Sequence, residues 1–382
     1  IWYGLTYDLS TVSAPMGPYP SFAFTPSDDA IIIWAAGQIY RVPLSTNQYG
    51  EKIGSLKETP SPIPFSAHIE KRLAETLKDS GSNKLVELET RDEERVLSFR
   101  NLQVDERGEM AVFEGAGVNY VHDVYEKETI PVPVSDPSAP YYSPAFVSGY
   151  EHLVLHARWS DTNFSTFELA DFKAGTVSEI SGLSLGRYYA PTLCGRNGTE
   201  RTIAFVKTGG DYLSGNIVAT ANPGLYIGQL ELPESVGTPI SIANVRFVQE
   251  LEIEEETPYL KLRFLDGDKQ LLVQQPTRAS LIDLTAGPNE YGEYPTRTLA
   301  HGRMSTELAV SVKGTGPDLV LDQVAFVDAN QAYIVPGANV GVEPVWSKPG
   351  RAPKKLARVS LDGARDVVWS GDGKKLFWFL GA

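Results

Sequence analysis

Five histidines are the first candidates for acid–base or metal chemistry: His68, His122, His152, His156 and His301. A hydrolytic metal centre needs several imidazole or carboxylate ligands converging on one point. None of the five forms a His-x-His pair. His152 and His156 would share one face of a helix, but they flank a segment that reads as a strand. The single cysteine, Cys194, excludes an internal disulfide and a Cys-based zinc cluster, and is expected to be a small buried hydrophobe. Gly182-Leu183-Ser184-Leu185-Gly186 fits the Gly-x-Ser-x-Gly pattern of hydrolase nucleophiles. That pattern works only on a strand-to-helix elbow, and no helix follows, so a loop is expected. Gly115-Ala116-Gly117 resembles part of a phosphate loop, again with no helix behind it, and reads as a hairpin turn. The acidic run Glu250, Glu252, Glu254, Glu255, Glu256 alternates like a protected edge strand. It lacks the spaced Asp residues of a calcium loop.

The elements that must position these side chains are strands. A three-strand unit recurs along the chain: an aromatic or apolar strand, a turn rich in Asp and Gly, a β-branched run, a small-residue turn, and a third strand around an aromatic. The first copy is Ser21 to Phe24, Ile31 to Trp34 and Ile39 to Val42. The second has the turn Asp105 to Gly108, then Met110 to Phe113 and Tyr120 to His122. The third runs through Ser143 to Phe146, Leu153 to Leu155 and Phe167 to Leu169. The fourth holds Ile203 to Phe205 and Leu225 to Ile227, and the fifth Leu262 to Phe264, Leu271 to Val273 and Leu281-Ile282. A sixth, degenerate copy has Val324 to Phe326 and Tyr333 to Val335. The last is Val367 to Ser370, the turn Gly371-Asp372-Gly373, and Leu376 to Phe379. Period-2 runs of β-branched and aromatic residues suit a pleated, half-buried surface, and Asp-Gly supplies the positive φ of tight hairpins. Small sheets of this kind cannot bury both faces alone, so copies pack face to face around an axis. The expectation is an all-β chain: a seven-bladed β-propeller of four-stranded antiparallel blades, one domain over residues 1–382. Residues 45–98 are an elaborated blade or insertion, with a helical turn over Ala67 to Leu77. The unpartnered strand Trp2 to Leu9 is expected to close the ring by pairing with the last copy.

The net charge of -14 and a pI near 4.9 argue against nucleic acid as a partner, because an acidic surface repels phosphate. Apolar residues make up 42% of the chain, enough for a core. The longest apolar runs, such as Ala30 to Trp34, fall far short of the ~20 residues of a spanning helix, so no membrane partner is expected. The chain begins at Ile1 without methionine. Asn163-Phe164-Ser165 and Asn197-Gly198-Thr199 are glycosylation acceptors. With low charge density and many Tyr and Thr, these features point to an extracellular protein.

Tyr142 to Phe146 and Val368 to Lys374 resemble the Trp-Ser-Pro-Asp-Gly-Lys repeat of TolB-type propellers. Gly37-Gln38-Ile39-Tyr40-Arg41-Val42, Ile63 to His68 and Leu376 to Gly381 are similar to phrases in the propeller that precedes the catalytic domain of TolB-like amidohydrolases. The resemblance covers most of the chain and implies a propeller. It implies no amidohydrolase chemistry, since the His-x-His of that catalytic domain is absent. The last copy holds two strands, so the natural polypeptide is expected to continue beyond Ala382, and a further domain of it is one expected partner.

In a propeller, the loops entering each innermost strand and those between second and third strands open on one face. Here they carry Tyr142, His156, Arg158, Arg187, Tyr188, His301 and Arg303, the candidate site for a small polar or acidic ligand. Arg pairs bidentately with carboxylates, and aromatics stack on sugars or apolar groups. A non-catalytic binding module follows, with no cofactor expected and a channel calcium as the one exception weighed. The rival is an enzyme at the channel mouth: a polysaccharide lyase, with His156 beside Arg158 or His301 beside Arg303 as base and uronate holder, or a calcium-dependent lactonase, for which the pore-facing strands offer few carboxylates. A scaffold for protein interactions fits the composition as well.

Overall fold

The computed structural model describes residues 22–35, 38–55, 57–68, 70, 96, 98–194, 200–213, 216–233, 235–251, 259–302, 305–339 and 356–380. Chain contacts divide it into two compact units, one of residues 1–7 and 14–97, the other of residues 8–13 and 98–382. The strand Trp2 to Leu9, and with it the expected closure, lies outside the described residues.

In the first unit, β1 (Phe22–Phe24), β2 (Ala30–Ala35) and β3 (Gln38–Thr46) form an antiparallel meander. The first half of β3 pairs with β5 (Ser61–Ile63) and its second half with β4 (Lys52–Gly54). Alternation selects the face: Ile31, Ile33 and Val42 are buried together, while Trp34 is exposed. The first sequence copy is thus a sheet of its own. Most of the predicted helical turn at Ala67 to Leu77 falls outside the described residues.

The second unit repeats one motif. Sheet I is β6 (Arg100–Val104), β7 (Met110–Gly115), β8 (Val118–Asp123) and β9 (Thr129–Pro131). Sheet II is β10 (Tyr141–Val147), β11 (Tyr150–Ser160), β12 (Phe164–Asp171) and β13 (Thr176–Ser181). Sheet III starts with β14 (Arg187–Leu193) and β15 (Glu200–Gly209). A side hairpin, β16 (Asp211–Leu213) with β17 (Asn216–Val218), precedes its outer strands β18 (Gly224–Glu231) and β19 (Ile240–Glu250). Sheet IV is β20 (Lys261–Leu265), β21 (Gln270–Gln274), β22 (Arg278–Asp283) and β23 (Thr296–His301). Sheet V is β24 (Glu307–Lys313), β25 (Val320–Asp328), β26 (Gln331–Pro336) and β27 (Ala357–Arg358). Sheet VI shows β28 (Arg365–Trp369) and β29 (Leu376–Phe379) among the described residues. Copies two to seven of the sequence repeat fall one to a sheet. Sheets II and III are also joined at their outer strands, where β13 and β19 pair in parallel at Ile180–Ile240 and Ser181–Ser241.

The core lies between sheets rather than inside any one of them. Val112 and Val121 of sheet I pack on Val154 and Ala170 of sheet II. Leu272 and Leu281 of sheet IV meet Leu308 and Phe326 of sheet V. Ala309 and Ala325 of sheet V meet Val367 of sheet VI. Val368 of sheet VI then packs on Leu102 and Ala111 of sheet I. The innermost strands follow the same circuit, β28 lying against β6. The Gly371 and Asp372 amides donate to the Asp105 and Glu106 carbonyls at 3.2 and 2.7 Å. Among the described residues of this unit, six sheets follow one another and sheet VI packs on sheet I.

Four innermost strands carry a bulge the sequence does not advertise. Asn101, Ser143, Ala190 and Asp366 have φ of 56°, 50°, 48° and 59°, each at a register shift of β6, β10, β14 or β28. Two of these bulges are held by carboxylates of the preceding sheet in the circuit. Asp366 accepts from the Leu102 amide at 2.9 Å, and Glu307 from the Val367 amide at 2.8 Å. Glu114, within sheet I, accepts from Arg100 and Asn101, each at 2.7 Å.

Sheet III depends on one glycine. Gly224 has φ of 144°, and a Cβ there would lie 2.3 Å from the Gln249 carbonyl oxygen on the neighbouring strand. Gly224→Ala is expected to cost about 1–3 kcal/mol through strain and displacement of β19. An unchanged urea midpoint would show that β19 can give way freely.

Candidate functional site

The innermost strands of all six sheets converge on one cavity of about 560 Å³. Its wall is built from the later residues of each strand: Gln103 on β6, Phe146 on β10, Thr192 on β14, Arg263 on β20, Val310 on β24 and Trp369 on β28. Its rim is made of the turns that leave those strands, among them Asp105 to Arg107 and Gly371. At the opposite end the bulges bring backbone and proline rings together, and only a void of about 20 Å³ remains among Asn101, Ser143, Pro144, Ala190 and Pro191. Among the described residues the unit is thus open at one end and packed at the other.

Charge on the wall is nearly balanced, in contrast to the chain as a whole. Lys261 is buried, and its ammonium donates to the Leu102 carbonyl at 2.5 Å and pairs with Asp366. Asp366 in turn faces Glu307, whose carboxyl is pushed up to about 7 by burial and by the Asp366 charge. Arg263 donates through one terminal nitrogen to Glu106 at 3.3 Å and to the Gly371 carbonyl at 2.5 Å. Burial pulls the guanidinium down, while Glu106 and Asp372 pull it back up. Gln274 is buried with its amide oxygen held by the Val310 N–H at 2.7 Å. Its amide nitrogen and the Thr192 hydroxyl have no partner among the described residues. Among those residues no group of three or more His, Cys, Asp or Glu side chains is placed to hold a metal ion.

None of the sequence-derived site residues that the structure describes lines this cavity. Arg303 and Asn197 lie outside the described residues, as do residues 252–258 of the acidic run. Tyr142 and Tyr188 stand at the starts of their strands, at the packed end, and both are buried. The Tyr142 hydroxyl donates to the Tyr188 carbonyl at 2.9 Å and lies 2.5 Å from Ser165 Oγ, which takes the Tyr188 amide at 2.8 Å. These contacts stitch sheet II to sheet III. His156 is wholly buried, with Nδ1 3.2 Å from the Asn119 amide nitrogen and Nε2 3.8 Å from Glu168. Burial, helped by the Arg158 charge, pulls His156 down to about 3, so the ring is neutral at ordinary pH and out of a ligand's reach. Arg158 is engaged by Glu168 at 2.9 Å and Glu179 at 3.0 Å. Arg187 is half-buried beside Tyr188. His301, also half-buried, pairs with Arg278 on the far edge of sheet IV. Tyr142 and Tyr188 thus meet, His156 and Arg158 share Glu168, and no hydrogen bond or ion pair among the described residues joins His301 to them. Ser184 lies in the loop before β14, its hydroxyl 3.0 Å from that of Tyr188. Asn163 is exposed in the turn before β12.

Sequence reasoning missed Gln103, Thr192, Lys261, Arg263 and Gln274. One signal was available: Lys261-Leu262-Arg263-Phe264 places two cations on one face of an innermost strand, where apolar packing alone would not put them.

No protein-family model matches the sequence, and no curated protein matches it. Among solved structures, a chain of the crystal structure of the mitotic checkpoint complex is similar over 75% of this chain and 91% of that one, at 12% identity and a TM-score of 0.39.

Proposed function

We propose that residues 98–382 form a six-bladed β-propeller binding module whose ligand, a small polar molecule, sits in the cavity at the open end of the innermost strands. The observation that carries this reading is the convergence of all six innermost strands on one cavity of about 560 Å³ with unengaged polar groups on its wall. That volume lies in the range of small-molecule sites, about 300–1,000 Å³. Groups such as the Gln274 amide are fixed by the fold before any ligand arrives, which lowers the ordering cost of binding. The segment Val368 to Lys374, which resembles TolB-type repeats, reaches the cavity at Val368, Trp369 and Gly371. A binding role fits better than the lyase chemistry read from His156, because that ring has no solvent-facing edge; His152, the imidazole on the cavity wall among the described residues, lies 3.7 Å from Asp171 and has no arginine partner there.

A thermal-shift screen of small acids, sugars, amino acids and nucleotides tests it. A ligand at about 100 times its Kd stabilises the fold by about 2.7 kcal/mol. For a unit of this size that raises Tm by about 5 °C or more. Gln103→Trp, which fills the cavity, should abolish every such shift. Shifts that survive the filling place the ligand elsewhere, and a screen with none leaves the scaffold reading.

A further inference from the structure

We propose that the cavity takes a small hydroxylated carboxylate, and that Glu106 is a resident placeholder which the ligand's carboxylate displaces from Arg263. This rests on the reading of the cavity as a ligand site. Only one of the Arg263 terminal nitrogens has partners among the described residues. A guanidinium carries five N–H donors in a planar fork that matches a carboxylate bidentately. The Glu106 contact, at 3.3 Å, is longer than the roughly 2.7–2.9 Å of a strong charge-assisted bond. The Glu106 side chain is also 60% exposed on a turn, so water can take its place without burying a charge. A pair of this kind is weak and exchangeable.

The surroundings favour an incoming anion. Arg201 is 2% exposed and has no carboxylate partner among the described residues. It donates to the Tyr150 hydroxyl at 2.7 Å, and Tyr150 is part of the cavity wall. Arg107 and Lys173 stand on the rim, also without ion-pair partners among the described residues. On the acidic side, Asp105 is already engaged by the amides of Glu109 and Met110, at 2.7 and 3.1 Å, and Glu151 stands exposed on the lining, opposite in sign to the Arg107 and Lys173 cations. With Lys261 paired to Asp366 and Asp105 held by amides, displacing Glu106 leaves Arg263, Arg107 and Lys173 against Glu151, and low-dielectric walls focus that positive surplus into the cavity. Beyond the carboxylate, the Gln274 amide nitrogen, Thr192 hydroxyl and Gln103 amide offer neutral donors and acceptors at hydroxyl positions. No full charge would be required there.

D-gluconate and D-glucitol differ only in a carboxylate against a CH₂OH, which makes them the probes. Isothermal titration should show gluconate binding at least about tenfold more tightly than glucitol. Arg263→Gln should weaken gluconate by about tenfold or more, and Arg263→Lys by less, because it keeps the charge and loses the fork. Glu106→Gln removes the competitor and should tighten gluconate by about threefold or more. That gain cannot come from a damaged fold. Equal binding of the two probes, binding of neither, or an unchanged affinity in Glu106→Gln overturns the carboxylate inference. If other compounds bind and Gln103→Trp abolishes them, the cavity still stands as the site; if filling it abolishes nothing, both readings fall together.

Discussion

Lys261→Met is expected to destabilise the six-sheet unit by about 3–5 kcal/mol above neutral pH, the largest effect of any single replacement considered for this chain. The Lys261 ammonium is 4% exposed and holds two partners, the Asp366 carboxylate and the Leu102 carbonyl. Asp366 simultaneously holds the Leu102 amide at 2.9 Å, so the pair ties sheet IV, sheet VI and sheet I at one point. Removing the cation leaves Asp366 and Glu307 facing each other with no positive charge between them. Breaking a buried pair costs far more than the pair is worth, because the orphaned charge keeps its desolvation penalty. Lys261→Met combined with Asp366→Asn should therefore recover most of the loss. Acid should also soften the single replacement, since protonating Glu307 relieves the repulsion. Urea unfolding of the single and double variants decides the matter: a loss under about 1 kcal/mol in Lys261→Met would mean water reaches the pair and screens it.

The second large effect is a stability optimum on the acid side of neutrality. Burial pushes Glu114 from 4.5 to about 7, against the pull of Arg100 and Asn101, and burial with the Asp366 charge does the same to Glu307. Between those values the folded chain holds protons that the unfolded chain has released. Stability is therefore fully present below pH 4.5 and falls as pH rises through about 7, by up to about 3 kcal/mol at each site. His156 acts in the opposite sense. Its folded value, about 3, lies below the ordinary 6.5, so the unfolded chain binds the extra proton and stability falls as pH drops below 6.5. From pH 6.5 down to 4.5 two glutamates gain while one histidine loses, and the net change still favours acid. The urea midpoint should rise on acidification from above pH 7 and peak near pH 5. Glu114→Gln with Glu307→Gln should flatten that rise, which separates it from relief of the overall negative charge. A maximum at or above pH 7 in the wild-type chain, or a double variant with the same slope, would contradict it.

Much of the fold is local and was legible. Copies two to seven of the repeat fall one to a sheet, because alternation such as Leu262, Phe264 against Arg263 and turns such as Gly371-Asp372-Gly373 act over a few residues. The fourth strands, among them β13 and β23, were harder to read, because Thr, Ser and charged residues interrupt their apolar alternation. The candidate site was not legible in the same way. Tyr142, Tyr188, His156 and Arg158 were read as loop-borne binding groups from their residue types. Burial and partners from other strands, Ser165, Glu168 and Asn119, make the first three packing groups and leave Arg158 tied to carboxylates.

By itself the sequence determined the all-β character, the positions of the repeats and the acidic surface, since each depends on composition or on spacing within about ten residues. Only the tertiary structure decided that six copies circulate together while the first forms a separate sheet. It also decided which end of the innermost strands is open. The bulges near the strand starts have left-handed φ at Asn101, Ser143, Ala190 and Asp366, none of them glycine, and those at Asn101 and Asp366 are held by carboxylates of the neighbouring sheet. Gln103, Thr192, Lys261, Arg263 and Gln274 are separated by up to 171 residues and become parts of one wall only when sheets I, III and IV are brought together. Side chains that share no local pattern leave no local signal, and their common surface exists only once the circuit is closed.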